Sequence, residues 1–173
     1  MAQHTTIQIS KEYLHFAAAH FTIFNASERE HLHGHNFHVT LDAHAPIGDD
    51  GLTFDYNILK RNLKRLCDAL DEQVLLPTNS PHLTIETEGE YTLARFADEK
   101  IPFLPRDVTL LPVRNITVEE LSHYLLQQLT EQDEIAQLAI DSLVLRVSSG
   151  DGQWAEARLS TNSSGTQSGG GDS

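Results

Sequence analysis

The sequence is poor in cysteine, in positive charge and in long apolar runs. A single cysteine among 173 residues excludes an internal disulfide and any metal site built from several cysteines. Twelve Lys and Arg face 25 Asp and Glu, for a formal net charge of −13, so nucleic acid and anionic membranes are poor partners. No apolar run approaches the roughly 18 residues of a transmembrane helix, and no signal peptide is visible. These absences predict a cytoplasmic protein.

The length suits one domain. The last fourteen residues, STNSSGTQSGGGDS, contain no apolar side chain, and such a segment cannot offset the entropy cost of ordering by burial. The sequence therefore predicts a single domain over residues 1–159 and a disordered Ser/Gly-rich tail over residues 160–173.

Hydrophobic periodicity predicts an α+β fold with an antiparallel sheet. Residues 32–46 alternate with a period of two, as in a half-buried strand, with one face that starts with two histidines and continues with apolar residues and an opposite face that is polar. Helical spacing predicts a helix over Asp55–Asp71, and Thr117-x-x-Glu120 is a capping box that opens a second one. Leu83–Phe96 has the pattern of a hairpin, and alternation from Leu143 to Val147 predicts a late strand, followed by a last one near Trp154.

Three shorter patterns complete the assignment. Alternation around Ile7 and Ile9 predicts a strand that continues towards Phe16. The glycines and aspartates of residues 48–51 predict a hairpin turn into a strand at Leu52–Phe54. Three prolines punctuate the region after the hairpin, which we interpret as a loop with a short strand at Asp107–Leu111.

Ten histidines point to imidazole chemistry. His33 and His35 lie two apart on the predicted strand, so both rings leave the same face, and Gly34 between them allows close backbone approach. His20 is the natural third ligand, and three histidines with an open fourth position are typical of catalytic zinc. Because about half an H-x-H pair is expected by chance at this histidine content, the pair alone leaves a purely structural role open.

The combination F-x-A-A-H, H-G-H-N-F and L-T-F-D-Y-N-I-L-K between Phe16 and Lys60 resembles the 6-pyruvoyltetrahydropterin synthase family, which includes 6-carboxytetrahydropterin synthase of the queuosine pathway. The resemblance implies the tunnel fold, with an antiparallel sheet backed by two helices on one face and subunits that close into a barrel. It also implies a homo-oligomer, a hexamer or tetramer, with sites at subunit interfaces. The implied substrate is 7,8-dihydroneopterin triphosphate.

The resemblance implies Zn²⁺ as cofactor with His20, His33 and His35 as its ligands. Thr117 and Glu119 match a motif that binds the pterin, although Thr117 is equally explained as a helix cap. Zinc in such a site polarises oxygens of the substrate side chain and eases proton removal.

Several family positions are changed in this sequence. The catalytic cysteine normally lies four residues before the first histidine of H-G-H, where this chain has Arg29. The family's Asp-His pair reads Asp71-Glu72, so only the aspartate is kept. The glutamate that anchors the pterin aligns on or beside Val147, followed by two serines. The remaining cysteine, Cys67, lies on the apolar face of a predicted helix and is interpreted as a core residue.

Glu30 is a candidate replacement for the missing catalytic cysteine. The sequence E-x-x-H-G-H resembles a branch of the family in which this glutamate replaces the cysteine and the enzyme cleaves the substrate side chain to 6-hydroxymethyl-dihydropterin for folate synthesis. A partly desolvated carboxylate beside zinc can act as general acid or base. The alternative is that Glu30 only closes a capping box with Ser27.

Two functions follow, and a third is weaker. The first is a zinc-dependent pterin lyase in which Glu30 is the catalytic acid/base and Asp71 assists as a second proton carrier. The second is a non-catalytic, zinc-holding member that binds a pterin or purine. The weaker third is zinc hydrolysis of another small substrate. Residues 81–112 have no counterpart in shorter family members and are interpreted as a lid or an oligomer contact.

Overall fold

The computed structural model describes residues 3–160, which form two sheets and three helices. The strands and helices, in chain order, are β1 (His4–Ile9), β2 (His15–His20), β3 (His33–Pro46), α1 (Asn57–Asp68), β4 (Gln73–Pro77), β5 (Leu83–Glu88), β6 (Tyr91–Phe96), β7 (Glu99–Phe103), β8 (Val108–Leu111), α2 (Val118–Thr130), α3 (Asp133–Ala136), β9 (Ser142–Gly150) and β10 (Gln153–Ser160).

The larger sheet has the strand order β10-β9-β3-β2-β4-β8, and β1 pairs with the far half of β3. Its centre is antiparallel, as predicted. At one edge, however, β2 pairs with β4 and β4 pairs with β8 in parallel. Parallel neighbours require long connections, and the chain provides them with α1 and with the excursion between β4 and β8.

The long strand β3 shows why the sheet has one covered face. Phe37, Val39, Leu41, Ala43 and Ala45 are buried, while the residues between them are partly or fully exposed. The first four of these residues share one large core with the apolar sides of α1 and α2. The predicted α+β layering, with two helices on one face of an antiparallel-rich sheet, is confirmed; α3 adds a single further turn.

Local predictions needed correction where turns interrupt a pattern. The first predicted strand is two strands, because a turn closed by a hydrogen bond from Leu14 N–H to the Lys11 carbonyl separates β1 from β2. No strand forms at Leu52–Phe54, where the chain follows a loop into α1. The helix predicted over Asp55–Asp71 is shorter, running from Asn57 to Asp68.

A separate three-stranded sheet, β5-β6-β7, fills most of residues 81–112, for which the sequence predicts a lid or an oligomer contact. The predicted hairpin is its first two strands, whereas the loop predicted in the proline-punctuated region after it contains a third strand, β7, which includes Pro102. Proline is tolerated in an edge strand, and β7 is such an edge. This sheet packs on the larger one through a second hydrophobic cluster that includes Phe21, Ile23 and Phe96.

The predicted disordered tail, residues 160–173, lies outside the described residues apart from Ser160, which ends β10. Among residues 3–160, no helix combines the length and the apolar character that crossing a bilayer requires.

Candidate metal centre

Three histidines meet at one end of the β2–β3 pair. The antiparallel register sets His20 opposite His33 and Ala18 opposite His35. The ring centroids of His20 lie 4.7 Å from His33 and 5.2 Å from His35, and the latter two are 4.8 Å apart. The predicted set of three ligands is therefore a single cluster, because strand pairing delivers a residue from β2 to a pair on β3.

Backbone carbonyls fix the orientation of two of these rings. His20 Nδ1 lies 2.8 Å from the Ile116 carbonyl oxygen, and His33 Nδ1 lies 2.7 Å from the His31 carbonyl oxygen. A carbonyl only accepts, so each Nδ1 carries the proton and each Nε2 carries a lone pair. This is the arrangement typical of metal-ligating histidines, whose second nitrogen donates to a neighbouring acceptor.

The Nε2 side of the cluster fits a divalent cation. His20 Nε2 is buried without a hydrogen-bond partner, and the three ligand atoms lie within 4.8 Å of one another. Burial lowers the pKa of His20, so this ring is neutral and able to ligate near pH 7. Three imidazoles suit Zn²⁺, and among the described residues this is the one group of three or more potential ligands.

Glu30 lies beside the cluster. Its Oε2 accepts a 2.9 Å hydrogen bond from Thr22 N–H and lies 3.9 Å from His33 Nε2. Partial desolvation raises the pKa of Glu30, but hydrogen bonds from Thr22 and the nearby His33 and His20 together outweigh it, so the pKa is lowered. The capping-box alternative is wrong, because Ser27 donates to Asn25 instead and no helical turn forms there.

A cavity of about 450 Å³ surrounds these groups. The three histidines and Glu30 line it together with Thr117, Glu119 and Ser149. Thr117 also caps α2, since its side chain accepts from Glu120 N–H at 3.3 Å. The structure thus brings both predicted substrate-binding residues to the histidine cavity, while their role there stays a prediction.

The model of the family described as 6-pyruvoyl tetrahydropterin synthase matches residues 8–160. The chain belongs to this family. It is accordingly a pterin-processing lyase, and its sheet and helices form the tunnel fold.

Solved structures of the family are close to this chain. The 6-pyruvoyl tetrahydropterin synthase of Plasmodium falciparum is 30% identical, with a TM-score of 0.85 over 91% of this chain and 98% of the other. The Plasmodium vivax enzyme is 28% identical, with the same TM-score over 91% and 99%. A Methanocaldococcus jannaschii protein, provisionally named 6-carboxy-5,6,7,8-tetrahydropterin synthase, is 28% identical over 120 residues, which are 69% of this chain and 73% of that protein.

The two cysteine questions raised by the family resemblance have structural answers. Arg29, at the position expected for the catalytic cysteine, turns away from the histidines and lies over the ring of Phe21, with its Cζ 4.8 Å from the ring centroid. Cys67 is 1% exposed in the large core, and burial raises the pKa of its thiol to about 12. Neither residue provides a nucleophile at the cavity.

Asp71 lies apart from the histidine cavity of its own chain. Its Oδ1 accepts a 2.7 Å hydrogen bond from Ala17 N–H, and Glu72, with a φ of 57°, donates its N–H to the Ala17 carbonyl. The pair therefore fastens the end of the α1 turn to β2. Its predicted part in proton transfer remains a proposal.

Sequence reasoning missed three contributors to the site. The Ile116 carbonyl orients His20 from 96 residues away, and Thr22 N–H holds the Glu30 carboxylate; backbone groups leave no signal in a sequence. Ser149 did have a signal, because it lies two residues after Val147, where the family's glutamate was sought. Val147 is fully buried, so the same strand face first meets the cavity at Ser149.

Proposed function

We propose that this chain is a zinc-dependent lyase that cleaves the side chain of 7,8-dihydroneopterin triphosphate, or a close relative, to 6-hydroxymethyl-dihydropterin. The observation that carries the proposal is the position of Glu30. Its carboxylate is 37% exposed and lies 3.9 Å from His33 Nε2, within one cavity with all three histidines. A carboxylate so placed can reach a substrate hydroxyl beside the metal ligands.

A glutamate has a related importance in a close structural neighbour. Two further structures of the Plasmodium vivax enzyme carry alanine or cysteine in place of a glutamate that their names describe as a catalytic residue. We infer that Glu30 corresponds to that glutamate, because it is the glutamate next to the histidine cluster on the loop where the family cysteine is absent.

The proposed chemistry is a reverse aldol reaction. Zn²⁺ held by His20, His33 and His35 would polarise the side-chain oxygens and favour their deprotonation. Glu30 takes the proton of the hydroxyl on the second side-chain carbon, and the bond between the first and second carbons breaks. The second carbon leaves as part of an aldehyde that still carries the triphosphate. The electron pair of the broken bond passes into the pterin ring system. The proton on Glu30 then returns to the first carbon, so the carboxylate is regenerated.

The remaining predicted residues take supporting parts. Thr117 and Glu119 are proposed to bind the pterin, with the Ser149 hydroxyl in place of the family's anchoring glutamate. Asp71 is proposed as a second proton carrier that acts in the cavity of a neighbouring copy, since it lies away from its own. The proposal therefore includes a homo-oligomer, a hexamer or tetramer with interfacial sites, that works in the cytoplasm.

The competing function is a non-catalytic member that holds zinc and binds a pterin or purine. The departures at Arg29, Glu72 and Val147 favour it, because each removes a group that the family uses. The retention of all three histidines, and of Glu30 at their cavity, opposes it.

A product assay separates the two. Zinc-loaded wild-type protein, Glu30→Gln and the matched control Glu28→Gln are incubated with 7,8-dihydroneopterin triphosphate, and products are identified by mass spectrometry. Glutamine keeps an oxygen for Thr22 N–H but is no base, so we expect Glu30→Gln to lose a factor of about 10²–10⁴ in kcat. Glu28, exposed on the same loop, should be dispensable. Stoichiometric zinc without turnover in the wild type would establish the binding function instead.

The shared-site proposal for Asp71 has its own test. Mixed oligomers of Glu30→Gln and Asp71→Asn should recover about a quarter of the wild-type activity, since one site in four then receives both intact residues from different chains. If the mixture is no more active than its two components, Asp71 does not serve a neighbour's cavity.

A further inference from the structure

The guanidinium of Arg29 joins two parts of the molecule that are distant in sequence. Its Nε and Nη2 donate to Glu99 Oε2 at 2.9 and 2.5 Å, and its Nη1 donates to the Glu30 carbonyl at 2.8 Å. Its Cζ lies 4.8 Å from the Phe21 ring centroid and 5.7 Å from that of Phe96. The side chain is only 15% exposed, although residues 24–28 just before it are exposed.

The same loop presents the catalytic carboxylate proposed above. Glu30 N–H donates to the Thr22 carbonyl at 2.8 Å, and Thr22 N–H donates to Glu30 Oε2 at 2.9 Å. Ile23 and Arg29, the next residues inward on each side of the loop, also form a backbone bridge. Because Arg29 binds the carbonyl of Glu30 itself, the direction of that peptide, and with it the path of the Glu30 side chain, depends on where Arg29 is held.

Arg29 is held by the three-stranded sheet. Phe96 ends β6 and Glu99 begins β7, and the two residues pair directly across the β6–β7 hairpin. Phe96 is buried in the second hydrophobic cluster, together with Phe21 and Ile23 from the loop. The hairpin thus offers a ring face and a carboxylate to one guanidinium, and this combination of stacking and a two-nitrogen hydrogen bond is what arginine, unlike lysine, can satisfy.

We propose that Arg29 and Glu99 are positioning residues for Glu30. In this interpretation, which rests on the proposed function, the three-stranded sheet is a fixed support that sets the Glu30 carboxylate against the histidine cluster. Arg29, at the position of the missing family cysteine, takes no part in the chemistry and instead holds the adjacent Glu30 in place. A misplacement of about 1 Å at a reacting group can cost 10²-fold in rate, so the support has a measurable consequence.

The test removes Glu99 and compares it with a matched carboxylate. Glu99→Ala leaves Arg29 without its carboxylate partner. Glu86→Ala is the control, because Glu86 pairs with Arg95 on the same sheet and neither residue touches Arg29. We expect Glu99→Ala to lower kcat about tenfold with KM changed by less than about twofold and with zinc still stoichiometric. Glu99→Gln keeps an acceptor oxygen for Arg29 and should retain more of the rate.

A second readout does not depend on activity. Hydrogen exchange of the Thr22 and Glu30 amides, followed by mass spectrometry of the peptide that contains them, reports how firmly the loop is held. We expect exchange at least about fivefold faster in Glu99→Ala and unchanged in Glu86→Ala.

The outcomes separate this inference from the proposed function. A fall in kcat together with faster exchange, confined to the Glu99 variants, supports it. Unchanged exchange in Glu99→Ala overturns it, as does an equal loss of kcat in Glu86→Ala, which would indicate general softening of the sheet. If the wild type turns over no pterin, the proposed function fails and so does the catalytic purpose of the support, while the exchange comparison still shows whether Arg29 and Glu99 hold the loop.

Discussion

Two loops border the histidine cluster, and each is fastened by an arginine–glutamate pair. The acid loop, residues 21–30, carries Glu30 and is tied by Arg29 to Glu99. The ligand loop, residues 112–117, carries the carbonyl that orients His20 and is tied by Arg114 to Glu120. The two arginines differ in burial, since the Arg29 side chain is 15% exposed between aromatic rings and that of Arg114 is 78% exposed, while Glu120 is the more buried of the two glutamates.

The difference shows that surroundings set the importance of an ion pair more than its chemistry does. An exposed pair contributes about 0–1 kcal/mol because water screens it and side-chain entropy opposes it. The guanidinium of Arg29 has already lost most of its water, so the loss of its carboxylate partner leaves a poorly solvated charge. The acid loop should therefore depend on its pair, and the ligand loop should depend mainly on other contacts.

The largest effect is expected from removing a histidine of the cluster that both loops border. His20→Ala should lower the affinity for zinc by more than about 100-fold, since even the loss of a group that only orients a ligand costs 10–100-fold. His38→Ala is the matched control, because His38 lies on β3 but on the exposed face. Competition with a chromophoric chelator measures both. Equal affinities in the two variants would exclude His20 as a ligand.

An intermediate effect is expected where the two loops join. The Asn115 side chain accepts from Ile23 N–H at 3.1 Å and donates to the Ile23 carbonyl at 2.8 Å, so it pairs with the acid loop as a strand backbone would. Asn115→Ala should lower the free energy of unfolding by about 1–3 kcal/mol, because Ile23, buried at 6% exposure, loses both backbone partners.

Urea denaturation measures this loss. Asn79→Ala serves as the control, because the exposed side chain of Asn79 accepts only a long 3.4 Å contact from Thr78. A loss in Asn115→Ala no larger than that in Asn79→Ala would mean that the two loops are held independently.

The smallest expected effect lies at the exposed pair. A side-chain hydrogen bond from Arg114 is the first cause that lowers the pKa of Glu120 below its ordinary value of 4.5, with His123 adding to it. A lowered carboxyl pKa stabilises the fold above the unfolded value and loses that contribution as the pH falls through the folded one. Glu120→Gln should therefore cost under about 1 kcal/mol at pH 7, and the cost should shrink as the pH falls below 4.5. A difference in melting temperature between variant and wild type that stays constant from pH 7 to pH 3 would contradict this.

The sequence predicts best those elements whose apolar and polar residues follow a regular period. The alternation through β3 gave the strand, its buried face and the common side of His33 and His35, and the motif F-x-A-A-H supplied His20. The parallel pairings of β4, which has no alternation of its own, and the strand β7 with its Pro102 carry no periodic signal. Their pairing is decided by tertiary packing, which a local pattern does not contain.

The site divides in the same way. The ligand histidines, Glu30 and Thr117 could be picked out as residue types at a spacing. The contacts that orient them could not, because Ile116 acts through a carbonyl and Glu99 lies 70 residues from Arg29. Asp71 shows the limit of a motif, since the sequence identifies the aspartate while the structure gives it a backbone N–H of β2 as partner.

The pairing of His20 with His33 also has a consequence for folding. A slip of one residue between β2 and β3 turns every side chain of the slipped strand to the opposite face, so a misregistered chain keeps its strands and most of its hydrogen bonds but scatters the three imidazoles. A metal ion bound by these histidines would therefore favour one alignment of the two strands among several that the backbone alone accepts. If the ion is zinc, as proposed, the zinc retained during refolding would count the correctly aligned molecules, without any knowledge of what the protein catalyses.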